Sequence, residues 1–128
     1  MTKLKDGLLI VVEGIDGCGK TTFIKNLKTK LDEHSFEYLL TKEPGGSSIG
    51  QLIRDIVLTP RTPKVCSKAE YLLFAADRAQ HSEQVILPAL DEKKIVVSDR
   101  MGDSSIVYQG YGRGLDIPTI KKINNWAM

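Results

Sequence analysis

The stretch LLIVVEGIDGCGKTT, Leu8 to Thr22, runs an apolar segment straight into a glycine-rich turn that closes on a lysine and two threonines. Its first part is a continuous run with β-branched residues, the pattern of a strand buried on both faces. The turn, Gly14 to Thr21, fits G-x-x-x-x-G-K-[ST], the spacing of a phosphate-binding loop. Gly14, Gly17 and Gly19 let backbone N–H groups converge on phosphate oxygens in conformations that a side chain would obstruct. Lys20 offers a cation to the β- and γ-phosphates of a nucleotide, and the Thr21 hydroxyl can ligate Mg²⁺. A helix starting at Lys20 adds the positive end of its dipole. From average composition, a chance match somewhere in a chain of this size has a frequency of roughly 0.5%. A strand before and a helix after lower that further.

Outward from the loop, KTTFIKNLKTKLDEH places Phe23, Ile24, Leu27 and Leu31 along one helical face. FEYLLTKE reads as a second strand, stopped by the turn signal Pro44-Gly45-Gly46. IGQLIRDIVL is a short amphipathic helix. SKAEYLLFAADRAQHSEQVILPAL is a long one, with Ser67 and Glu70 spaced as a capping box. KIVVSDR is a third strand of the buried type, ending in Asp99 and Arg100. DSSIVYQG is expected to be helical, YGRGLD a loop, and PTIKKINNWAM a last helix with Pro118 near its first turn. Strands that alternate with helices imply an α/β fold with parallel strands and right-handed crossovers.

At 128 residues the chain is expected to be a single domain, residues 1–128. With 41% hydrophobic and 27% charged residues it can bury an ordinary core. A formal net charge of +2 is too mild to argue for a nucleic-acid or membrane surface. No apolar stretch, Leu8 to Val12 included, is long enough for a membrane helix or a signal peptide, so the expected location is the cytoplasm. Cys18 and Cys66 form no metal-spaced cluster, and Cys18 lies inside the loop, which argues against a structural disulfide.

A bound nucleotide's phosphates can be held, hydrolysed or transferred. No guanine-reading N-K-x-D segment is present, and no L-S-G-G-Q signature of a transport ATPase. A kinase for a small acceptor needs a second pocket, with cations for the acceptor's phosphate and a flat surface for its base. TKEPGG (Thr41 to Gly46), YLLFAADRAQH (Tyr71 to His81) and SDRMGDSSIVYQG (Ser98 to Gly110), together with GIDGCGKTT, supply such groups. In this order they resemble the motif set of the thymidylate kinase family, and the resemblance covers nearly the whole chain. It implies a P-loop nucleoside-monophosphate-kinase fold of three layers, with a parallel sheet in strand order 2-3-1-4-5. It also implies transfer of the γ-phosphoryl group of ATP to dTMP with Mg²⁺, and a homodimer.

The resemblance assigns the ATP phosphates to Gly14, Ile15, Asp16, Gly17, Cys18, Gly19, Lys20, Thr21 and Thr22, and Mg²⁺ to Thr21 and Asp99. Arg100 would grip the dTMP phosphate, with Lys20 and Asp99 beside the reacting phosphates. Arg54 resembles a second acceptor-phosphate ligand; its other reading is a solvated helix charge. Phe74 and Arg78 stand four apart on a helix and share a face, which suits a ring stacked on a base beside a guanidinium donating to a pyrimidine O4. The other reading of Phe74 is core, and Arg78 alone could equally be a solvated residue paired with Asp77. Asp99 and Arg100, at the carboxyl end of a strand, read otherwise as a surface ion pair. The resemblance directs Asp16 to the acceptor's 3′-hydroxyl and has Tyr108 crowd the 2′ position. Glu43, Pro44, Ser104, Ser105 and Gln109 follow as further contacts to dTMP. His81 and Arg113 read as structural or solvated.

Some relatives carry an arginine in the loop where Gly17 stands, and others bring arginines from a lid further along the chain. The chain ends before that lid and before the last two strands of the family's sheet. The expectation is therefore a portion of a longer kinase, or a nucleotide-binding module without turnover. The strand LLIVVE is then expected at an open sheet edge, which invites intermolecular pairing. A kinase for another small acceptor is a third reading.

Overall fold

The computed structural model describes residues 2–128. Strands β1 (Leu8–Val12), β2 (Tyr38–Lys42) and β3 (Ile95–Asp99) form one parallel sheet in the order β1-β3-β2. This is the order that the resemblance implies for these three strands. β3 is the centre, with Val97 opposite both Ile10 and Leu40.

Side chains alternate across the sheet, so its two faces feed two cores. On one face Val96, with Leu9 and Leu39 beside it, packs against Ile86, Ala89, Leu90 and Met101. On the other, Ile95 and Val97 pack against Leu27 and Leu31 of α1 (Lys20–Glu33). Val96 is 0% and Val97 1% exposed, because neighbours and both layers cover β3. Each such valine contributes about 1.5–3 kcal/mol.

The sequence pattern misjudges four details. β1 is not buried on both faces: it pairs only with β3 among the described residues, leaving Leu8 and Val11 exposed. That is the open edge expected for it. Phe23 does not join the core face of α1, since only Ile24, Leu27 and Leu31 turn inward and Phe23 is 55% exposed. No capping box opens α3 (Ser67–His81). Its cap is Cys66, without a side-chain bond, and Glu70 bonds across the molecule instead. Finally, the long helix is not uniform. After α3 a wider π-helical turn, Ser82–Ile86, leads into α4 (Leu87–Asp91).

α2 (Ser48–Leu58) starts on Ser47, whose hydroxyl accepts the Gly50 N–H. It packs on α3. After β3 come α5 (Gly102–Ser105), a π-helical stretch Ile106–Tyr111, and α6 (Ile117–Ala127), capped by Asp116. Tyr71, Ala75 and Ile120 join α3 to α6 in a third core.

All three strands deliver their carboxyl ends to one edge of the sheet. There the Glu43 N–H donates to the Asp99 carbonyl and the Arg100 N–H to the Val12 carbonyl, each at 3.0 Å. No helix among the described residues is long and apolar enough to cross a membrane. The two cysteines are free and exposed.

Candidate active site

The loop from β1 to α1 adopts the conformation its glycines allow. Gly17 and Gly19 have φ of 81° and 95°, in the left-handed region. A Cβ at either would meet nothing within 4 Å, so conformation rather than crowding selects glycine there. Ile15, Asp16, Gly17, Cys18, Gly19 and Thr22 are exposed, and Gly14 packs under Cys18. The Lys20 ammonium pairs with the Asp99 carboxylate, which holds the loop's cation at the end of β3.

A cleft of ≈ 530 Å³ opens beside the loop. Asp16, Lys20 and Thr21 line it from the loop, and Lys42, Glu43 and Pro44 from the end of β2. Arg54 and Leu58 come from α2, Phe74 and Arg78 from α3, Asp99, Arg100 and Met101 from the end of β3. Ser104, Ser105, Tyr108 and Gln109 complete the wall. Every residue expected to meet the acceptor thus borders the cavity that also receives Lys20 and Thr21. Residues spread over ninety positions converge because parallel strands bring successive βα loops to one edge.

Arg100 adopts a left-handed backbone, φ 69°, and its Nη2 donates to Asp16 Oδ1 at 2.7 Å. The guanidinium lies 5.5 Å from the Tyr108 ring centroid, within cation–π range. Tyr108, and after it Asp16 and Asp99, hold Arg100 above its ordinary pKa. Arg54 Nη1 donates to the Pro44 carbonyl at 3.0 Å, tying α2 to the turn after β2. Phe74 is half-buried and faces the cleft.

Arg78 is neither solvated nor paired with Asp77. It is 2% exposed, and its Nε donates to Glu43 Oε1 at 2.9 Å. Nη1 donates to Asn124 Oδ1 at 2.6 Å, and Nη2 to Ser105 Oγ at 3.0 Å and the Met101 carbonyl at 3.4 Å. Glu43 spends both carboxylate oxygens internally, the second against His81 Nδ1 at 2.8 Å. His81 is wholly buried rather than solvated. Asp77, also buried, accepts the Gly45 N–H at 2.9 Å, while its Oδ2 has no partner among the described residues. Burial, first of all, pushes the Asp77 carboxyl above its ordinary pKa.

Three site residues spend their polar atoms on the protein. The Ser104 hydroxyl donates to Glu13, Ser105 accepts from Arg78, and Gln109 donates to Glu70 at 3.4 Å. Arg113 is exposed and pairs with Glu70 at 3.0 Å. Sequence reasoning missed Glu13, which also accepts the Met101 N–H, and Asn124, which joins Arg78, Tyr71 and Gly102. Neither has a local signal, because their partners stand 22 to 91 positions away. Asp77 and His81 did have one: they flank Arg78 on the face of α3 that also carries Phe74.

A parallel α/β sheet with a glycine-rich loop, lysine and hydroxyl at the carboxyl end of β1 defines a P-loop nucleotide-binding protein. A family model for thymidylate kinase matches residues 12–128. Thymidylate kinase of Halothermothrix orenii is 51% identical over 122 residues, covering 95% of this chain and 58% of that protein. That of Pelotomaculum thermopropionicum is 52% identical over 121 residues, covering 94% and 56%. The crystal structure of thymidylate kinase from Ehrlichia chaffeensis superposes with a TM-score of 0.88 at 38% identity, covering 96% of this chain and 70% of that one. The chain belongs to the thymidylate kinase family. It spans somewhat over half the length of the curated relatives it matches.

Proposed function

We propose that the protein transfers the γ-phosphoryl group of ATP to a phosphate oxygen of dTMP, giving ADP and dTDP. One observation carries this reading. A single cleft joins Lys20 and Thr21 of the phosphate loop to two guanidinium groups, Arg54 and Arg100, and to the Phe74–Arg78 pair. Arg100 and Arg54 hold the acceptor phosphate, Phe74 stacks on the base, and Arg78 donates to a base carbonyl. Asp16, on the loop and already bound to Arg100, receives the 3′-hydroxyl, and Tyr108 narrows the space for a 2′-hydroxyl.

The phosphoryl group passes in line from the ADP leaving oxygen to the dTMP oxygen. Acceptor phosphate oxygens are already ionised, so the chain needs no general base. Its contribution is positioning and charge neutralisation. On triphosphate binding, Lys20 exchanges Asp99 for phosphate oxygens. Thr21 and Asp99 are hard oxygen donors bordering the cleft, the kind that suits Mg²⁺ with most of its waters retained. When bound there, Mg²⁺ neutralises charge on the reacting phosphates. We also propose a cytoplasmic homodimer. The exposed Ile49, Leu52 and Ile56 of α2, with Leu72 of α3, support the interface.

A second reading is binding of ATP and dTMP without turnover: Gly17 puts no arginine in the loop, so turnover depends on arginines from elsewhere, as in the relatives that carry them on a lid. Losing such an arginine costs about 10³–10⁵ in turnover. The test is ADP release by this chain with ATP and Mg²⁺ across dTMP, dUMP, dCMP, dAMP and dGMP, alongside calorimetric binding of each acceptor. Turnover with dTMP that disappears in Arg100→Ala supports transfer. Binding of dTMP without turnover supports the second reading, and preference for another acceptor sinks the thymidylate assignment.

A further inference from the structure

Polar contacts from Asp77, Arg78 and His81 of α3 shape the segment Thr41–Gly46. Asp77 takes the Gly45 N–H, Arg78 takes one oxygen of Glu43, and His81 takes the other. The far ring nitrogen of His81, Nε2, lies 2.7 Å from Thr41 Oγ1. A Cβ on Gly46 would come within 2.5 Å of the imidazole, so the turn is moulded on the ring. Burying a polar ring is costly unless its nitrogens are satisfied, and here both are.

Of this group, Arg78 and Glu43 border the cleft; His81 does not. Arg78 commits four of its five N–H groups to protein, leaving one on Nη1 without a partner among the described residues. A guanidinium sits on a flexible stem, so its partners set where that last N–H points. Glu43 fixes the Nε side. The plane of the Glu43 carboxylate is in turn fixed by its second oxygen, and His81 is the group that holds it.

We propose that His81 is a positioning residue of the acceptor site: held by Thr41, it orients the Glu43 carboxylate, which pre-aims Arg78 at the base of a nucleoside monophosphate. This rests on the reading of the cleft as the dTMP site. His81 touches neither nucleotide. It therefore acts on acceptor affinity and leaves ATP affinity alone.

Two substitutions separate its ring nitrogens. His81→Asn puts an amide N–H near the place of Nδ1 and keeps a donor for Glu43. His81→Gln reaches instead toward the place of Nε2 and leaves the Glu43 oxygen unpaired. Two readouts are taken on the full chain: calorimetric dissociation constants for dTMP and ATP, and the NMR signal of the Arg78 Nε–H in the free protein. Hydrogen bonds to charged groups predict that His81→Gln weakens dTMP by about 10- to 100-fold with ATP unchanged. His81→Asn retains most of the dTMP affinity. The Arg78 Nε–H signal is sharp and slowly exchanging in the unmodified chain and in His81→Asn, and broadened in His81→Gln. Equal losses in both variants, parallel loss of ATP binding, or an unchanged Nε–H signal in His81→Gln overturns the proposal. An unmodified chain that binds no dTMP refutes the acceptor reading, and the Nε–H signal still decides whether His81 orders Arg78. If neither histidine variant folds, Thr41→Val removes the ring's outer partner. A broadened Nε–H signal supports the relay there, and an unchanged one overturns it.

Discussion

Replacing Arg78 by methionine tests the buried network that supports the cleft. The guanidinium is 2% exposed and holds Glu43, Asn124, Ser105 and the Met101 carbonyl. Methionine fills similar space but leaves Glu43, 5% exposed, with His81 alone. Removing one partner of a buried ion pair costs about 3–5 kcal/mol, because the other charge stays desolvated. For a domain whose total stability is about 5–15 kcal/mol, that is a large fraction. With a urea slope of about 2 kcal/mol per molar, the midpoint falls by roughly 2 M. The assay is urea unfolding followed by far-ultraviolet circular dichroism, for Arg78→Met, Glu43→Gln and the double variant. Neutralising Glu43 as well removes the orphaned charge. The double variant should therefore fall short of additivity by about 2 kcal/mol or more. A single-variant loss under about 1 kcal/mol, or a cycle additive to within about 0.5 kcal/mol, would refute the reasoning.

Other substitutions follow from the same geometry. Gly46→Ala places a Cβ 2.5 Å from the His81 ring and 2.6 Å from the Lys42 carbonyl. It should cost about 1–3 kcal/mol, and an unchanged melting temperature would contradict the packing described. Gly19→Ala meets open space but keeps φ at 95°, so about 1–2 kcal/mol of backbone strain is the whole expected cost to folding. Its ATP affinity should drop further, as calorimetry would register. Asp77 has a folded-state pKa raised by burial, so the folded protein binds more protons than the unfolded chain just above the ordinary aspartate range. Stability conferred by the protonated form is lost as pH rises through that window. Asp77→Asn should therefore gain on the parent as pH rises from about 4 upward, and a pH-independent difference would exclude the shift. Arg100→Ala frees Asp16 and uncovers Tyr108. It should weaken dTMP by about 10- to 100-fold in a binding titration while ATP changes little.

The parts of the site legible in sequence are those whose chemistry is contained within a few adjacent residues. Gly17, Gly19, Lys20 and Thr21 act through backbone conformation and immediate spacing, so GIDGCGKTT discloses them by itself. Phe74 and Arg78 share a face by helical period, and Asp99 and Arg100 follow a strand. The same local logic fails where a residue answers to distant partners. Glu70 has the spacing of a cap yet bonds Gln109 and Arg113, 39 and 43 positions on. Phe23 fits an apolar stripe, but the core accepts only the part of the helix that faces β3. LLIVV reads as doubly buried because composition reports hydrophobicity, whereas exposure depends on which strands flank it.

The sequence by itself determined the α/β alternation, the phosphate loop and the family, since these rest on short-range spacing and residue type. Only the tertiary structure decided that Glu43 serves Arg78 and His81, that Arg78 is buried rather than solvated, and that Asn124 and Glu13 brace residues of the cleft wall. Those assignments depend on hydrogen bonds between groups 22 to 91 positions apart. Such pairings follow from where the sheet and helices bring the chain together, and a buried polar atom takes whichever partner the fold places within reach.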